Sequence, residues 1–201
     1  MKNLNIRGFR KRGLVLSYGC DNNSYRDIEI DPAHHLSVEG PAITMGGYNT
    51  NTLMFERVTI RDLLAGIGVE IPSTFGGVEF RSLRFYNVAR PVVGTYCGSL
   101  NLYGLIVSAD PAKVSGPAVE LVGHNNVFVD GITDCYAAAV RVEEPGQKAV
   151  TLAGSRQPGQ WRRFRWCVNS PALTIEDGDP PPGARAKLEG YRQALGKGNG
   201  G

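Results

Sequence analysis

Residues 53–71 read LMFERVTIRDLLAGIGVEI, and residues 78–96 read VEFRSLRFYNVARPVVGTY. Each holds three short alternating segments, Leu53/Phe55, Val58/Ile60 and Val69/Ile71 in the first, then Val78/Phe80, Leu83/Phe85 and Val93/Thr95 in the second. Alternation with period two marks strands with one buried face, because successive side chains on a strand point to opposite sides. Residues 100–122, LNLYGLIVSADPAKVSGPAVELV, hold the same three segments again.

The middle segment recurs as Leu4/Ile6, Ile28/Ile30, Val58/Ile60, Leu83/Phe85, Leu105/Val107, Ile132/Asp134 and Phe164/Trp166, at steps of 24, 30, 25, 22, 27 and 32 residues. A following series runs through Leu14/Leu16, Ile43/Met45, Val69/Ile71, Val93/Thr95, Val119/Leu121, Val140/Val142 and Leu173/Ile175. A preceding series adds Leu53/Phe55, Val78/Phe80, Leu100/Leu102, Val127/Val129 and Val150/Leu152. Turn residues such as Glu39-Gly40-Pro41 and Ser115-Gly116-Pro117 separate the strands, and no helical period interrupts residues 1–176. A βαβ fold needs crossover helices that are missing, and an antiparallel sandwich does not predict three registers sharing one repeat. A coiled solenoid does. The reading is all-β, a right-handed parallel β-helix of about seven rungs over residues 1–176, with Phe55, Phe80, Leu102 and Val129 in one inward column.

These three triple-strand stretches resemble rungs of the right-handed parallel β-helix, pectate-lyase-like superfamily. That resemblance implies carbohydrate as the ligand class and an extracellular or surface setting, with lyases, hydrolases, epimerases and phage tailspikes as the range of roles. It transfers no catalytic residue, since the Asn-Thr-Asp, Asp-Asp and Arg-Ile-Lys signatures of the polygalacturonase-like hydrolases are missing. The Gly-Asp-Gly and Asp-Asp-Thr opening of related proteins is missing too, which implies a shortened relative or a fragment.

Composition narrows the rest. The chain has 201 residues, 42% of them hydrophobic, with a net charge of +3, which fits one domain with a substantial core. No apolar run is long enough for a membrane span and no signal-peptide pattern opens the chain, so neither membrane nor secretion signal is expected. The basic spots Arg10-Lys11-Arg12 and Arg162-Arg163-Phe164-Arg165 match no nucleic-acid reader, and no nucleic-acid partner is expected. After Ile175 the run EDGDPPPG reads as a linker over 177–183. Residues 184–195 place Ala184, Leu188, Tyr191 and Leu195 on one helical face, a cap for the terminal rung, before a tail at 196–201. Oligomers through the solenoid ends or faces are compatible with this arrangement.

Equal register stacks residues in columns about 4.8 Å apart, so the outer face can be read directly. Outward of Ile28 and Ile30 stand Asp27, Glu29 and Asp31; one rung on come Arg57, Thr59 and Arg61; then Ser82, Arg84 and Tyr86. Asp27, Glu29 and Asp31 are the candidate acids for sugar chemistry, while Arg57, Arg61 and Arg84 are candidate grips for carboxylated sugars. Tyr86 and Tyr103 offer rings for stacking, and Glu56 and Arg81 extend the charged belt. Asp27 with Arg57 and Asp31 with Arg61 also read as cross-strand ion pairs, which leaves Glu29, opposite Thr59, as the least neutralised acid. His34-His35 would point to opposite sides of an extended segment and makes a poor metal pair. The four cysteines have no zinc spacing, and no metal or other cofactor is expected; Cys135 and Cys167 are expected in one column, within about 7 Å between Cα atoms. Two roles stay open. One is a carbohydrate-binding protein acting on acidic glycans as lyase, hydrolase or epimerase, and the other a structural or adhesive solenoid without chemistry.

Overall fold

The computed structural model describes residues 1–17, 19–33, 37–46, 52–110, 112, 114, 116–134, 138–143, 150–153, 162–167 and 170–177. In chain order these form β1 (Lys2–Arg7), β2 (Leu14–Ser17), β3 (Ser24–Asp31), β4 (Ile43–Gly46), β5 (Leu53–Arg61), β6 (Ile67–Tyr86), β7 (Arg90–Ser108), β8 (Pro117–Asp134), β9 (Ala138–Glu143), β10 (Val150–Ala153), β11 (Arg162–Cys167) and β12 (Ser170–Asp177). No helix occurs among the described residues.

Two parallel stacks run side by side. One joins β1, β3, β5 and the C-terminal parts of β6, β7 and β8; the other joins β2, β4, the N-terminal parts of β6, β7 and β8, and then β9. Each circuit of the chain adds one strand to each stack, which makes a parallel β-solenoid of about five turns. The strands are long because they bend without breaking. Asn3, Asp27, Arg57, Ser82 and Gly104 all have left-handed backbone, with φ of 55, 56, 56, 59 and 63°. The strand register stacks these five residues into one corner column. A single left-handed residue turns a strand sharply; Asn, Asp and Gly, at three of the five positions, tolerate it best, while Arg57 and Ser82 adopt it at a cost. A second corner is tied across turns by side chains, with Asn87 Nδ2 donating to Asp62 Oδ1 at 3.2 Å and the Asp110 N–H donating to Asn87 Oδ1 at 3.0 Å.

Inside, columns of like residues fill the bore. Phe55, Phe80, Leu102 and Val129 stack in register as expected and are fully buried, and Tyr25 joins the column ahead of Phe55. The Tyr25 and Phe55 rings lie 5.0 Å apart and the Phe55 and Phe80 rings 4.6 Å apart, both pairs stacked nearly parallel. The middle series also stacks as expected from Leu4 through Ile28 and Val58 to Leu83.

Three expectations are corrected. The solenoid has about five turns and not seven, because beyond β8 and β9 the chain reverses: β11 is antiparallel to β8, β12 to β11, and β10 to β9. Phe164 and Ile175, assigned above to successive strands of one rung, instead face each other across a hairpin. A parallel return needs a full circuit of chain, whereas a hairpin needs only a tight turn. The second correction is at the sixth strand, where Gly131 and Thr133 take the places expected for Ile132 and Asp134. Between Leu102 and Leu105 strand β7 spends one more residue than β8, and a one-residue slip exchanges the faces. The buried Thr133 consequently carries a hydroxyl with no hydrogen-bond partner among the described residues. Third, Val92 and Gly94 pair with Val69 and Ile71, in place of Val93 and Thr95. Two adjacent valines make the alternation ambiguous there, and burial of Val92 resolves it. The helix at 184–195, its linker beyond Asp177, the tail, His34, His35 and Cys135 lie outside the described residues.

Candidate functional site

The outer face of β3, β5 and the C-terminal part of β6 brings the candidate residues together. Register places Glu29 beside Thr59 and Thr59 beside Arg84, with Arg61 beside Tyr86 in the next column. Asp27, Ile28, Glu29, Arg57, Thr59 and Arg84 line a groove of about 300 Å³.

Charge pairing within this face is extensive. Arg57 grips Asp27 with two nitrogens, at 2.6 and 3.0 Å, and also contacts Glu56. Arg26 holds the other Glu56 oxygen at 3.1 Å. The Arg57 hydrogen bonds are the main reason that the Asp27 carboxyl is held below its ordinary value, with the charges of Arg57, Arg26 and Lys2 adding to the effect and desolvation opposing it. Arg57 is raised in turn by Asp27. A depressed carboxyl contributes stability that is present above its ordinary value and is lost as pH falls through the folded one. Carbon-detected NMR titration should therefore place the Asp27 midpoint below 3.8, and Arg57→Ala should move it upward. A midpoint unmoved by that substitution would mean that the pair does not exist in solution.

The expected pairs Asp27–Arg57 and Asp31–Arg61 are present, but Glu29 is not the free acid that the columns suggested. One Arg61 nitrogen lies 3.0 Å from Glu29 and 3.1 Å from Asp31. Arg61 reaches Glu29 diagonally, two positions along the neighbouring strand, which a long side chain spans and a column map overlooks. Asp31 also accepts the Ala33 N–H at 2.6 Å, so both its oxygens are engaged. A glycosidase acting by two carboxyls needs the space between them for a sugar and, when inverting, a water. Here a guanidinium occupies the space between Glu29 and Asp31.

Tyr86 is also corrected: it is 2% exposed and presents no ring face for stacking. Alternation gave its outward direction but not the burial of that part of the face, where Ser108 beside it is likewise buried. Arg84 differs from Arg57, the other arginine of the groove, in that it makes no ion pair among the described residues. Tyr103, by contrast with Tyr86, is 40% exposed and packs against Phe128, with ring centroids 5.2 Å apart. Sequence reading paired Tyr103 with no neighbour, although Phe128, one residue before inward Val129, was visibly outward. Among the described residues no group of three or more His, Cys, Asp or Glu side chains could hold a metal ion.

Comparisons with protein-family models, with curated proteins and with solved structures gave no match to this chain.

Proposed function

We propose that this chain is a non-catalytic β-solenoid that binds an acidic glycan in the groove between β3, β5 and β6, with Arg84 taking the carboxylate or sulfate of one sugar. The observation that carries the reading is an asymmetry within one groove. Asp27 and Glu29 are held by arginines, while Arg84 has no acid partner among the described residues. A half-buried guanidinium without a partner favours an anion with matching geometry, and charged hydrogen bonds of this kind are among the stronger ones. The Thr59 hydroxyl and the Glu29 carboxylate, on the same wall, suit the hydroxyl groups of a sugar.

The rungs' likeness to the pectate-lyase-like superfamily supports carbohydrate as the ligand class, although a shared fold does not fix an activity. Pairing of Asp27, Glu29 and Asp31 argues against the lyase, hydrolase or epimerase alternative, because an acid or base in such chemistry must exchange a proton with the substrate. The test is titration calorimetry with polygalacturonate and with dextran sulfate, using neutral dextran as control. Arg84→Ala should weaken binding of the acidic polymers by about tenfold to a hundredfold, and leave the response to dextran unchanged. Equal binding of the acidic polymers by wild type and Arg84→Ala would overturn the assignment of Arg84.

A further inference from the structure

The groove stops at a corner whose side chains shrink from Arg57 onward. Register stacks Arg57, Ser82 and Gly104 in this column, so the ridge between the two outer faces falls from a long side chain to none. At Gly104 a Cβ would meet only the Ser82 backbone, at 3.9 and 4.0 Å, so packing does not forbid a side chain there. The corner is low because this position carries glycine. On its far side, one residue back, stands Tyr103, and beside it Phe128.

We infer that the glycan crosses this low corner and stacks a second sugar ring on the Tyr103–Phe128 platform. The inference rests on the proposed groove at Arg84 and extends it. Arg84 is beside Ile106, three residues along β7 from Tyr103, a span of at most about 10 Å, which two linked pyranose rings cover. Tyr103 is the only exposed large apolar side chain of β7 among the described residues; the other two, Met1 and Val15, belong to the first turn. Two rings are far too little for a stable protein interface, which needs roughly 1,000 Å². The exposed Tyr103 ring, tilted 37° to that of Phe128, matches one face of a sugar, whose C–H groups pack on aromatic faces while its hydroxyls reach a polar rim. That rim is present: Arg81, paired with Glu79, precedes Tyr103 in its column, and Asp130, paired with Arg165 at 3.4 Å, lies near Phe128.

Calorimetry with galacturonic acid and hexagalacturonate tests this on the full chain. Tyr103→Ala should weaken hexagalacturonate by about threefold to tenfold and leave the monomer unchanged, while Tyr103→Trp retains both. Gly104→Asn, which suits the left-handed backbone but raises the corner, should reproduce the loss for the hexamer alone. If Tyr103→Ala and Gly104→Asn bind hexagalacturonate like wild type while Arg84→Ala loses it, the crossing is wrong and the groove stands. If all three bind like wild type, both readings fall.

Discussion

Replacing Phe80 by alanine is expected to remove about 3 to 5 kcal/mol of folding free energy. Phe80 is fully buried in the middle of its column, stacked on Phe55 at 4.6 Å below and next to Leu102 above. Its removal leaves a cavity that the rigid strand spacing of a solenoid cannot close, and it breaks an aromatic contact at the centre of the stack. Because a solenoid is stabilised mainly through contacts between neighbouring turns, a defect at a central turn uncouples the two halves, and the unfolding transition should broaden as well as shift. Urea denaturation followed by circular dichroism reads both effects. A loss below about 1 kcal/mol would mean that Phe80 does not stand in a packed bore.

Alanine at Gly68 is the second large effect, here from too little space. An added Cβ would overlap the edge of the Phe85 ring and come within 2.6 Å of the Pro91 carbonyl oxygen. Phe85 is fully buried, so its ring has nowhere to go, and Pro91 O belongs to the backbone. The expected cost is about 3 kcal/mol, at the upper end for overpacking. Phe85→Leu should recover part of this in the double variant, because the clash is between these two positions. Thermal unfolding of the single and double variants measures the coupling, and a Gly68→Ala protein as stable as wild type would place Gly68 elsewhere.

The repeat was legible because inward residues announce themselves by alternation. Leu4, Ile28, Val58 and Leu83 could be aligned from apolar pairs alone, and the column through Phe55, Phe80, Leu102 and Val129 followed. Reading failed where alternation lost its meaning. At Val92-Val93 either residue suits a buried site, and at Ile132 a missing corner residue shifted the register without changing the apolar count. Beyond β8, direction is the unknown: an apolar pair such as Phe164/Trp166 reads the same in a parallel or an antiparallel strand. The candidate face was found for the same reason as the core, since residues between inward positions must point outward. Long side chains blurred its detail. Arg61 selected Glu29 as well as Asp31, so the acid singled out for chemistry is paired, and the groove arginine without an acid among the described residues is Arg84.

One measurement bears most directly on the claim that this face binds an acidic glycan without cleaving it. The intact protein is incubated with polygalacturonate at saturating concentration, as established by calorimetry, and the solution is assayed over time for reducing ends and unsaturated uronate. Saturable binding that depends on Arg84, with product formation no faster than in buffer alone and unchanged by Glu29→Gln, is the predicted result. Products that accumulate with wild-type protein and disappear with Glu29→Gln would contradict it.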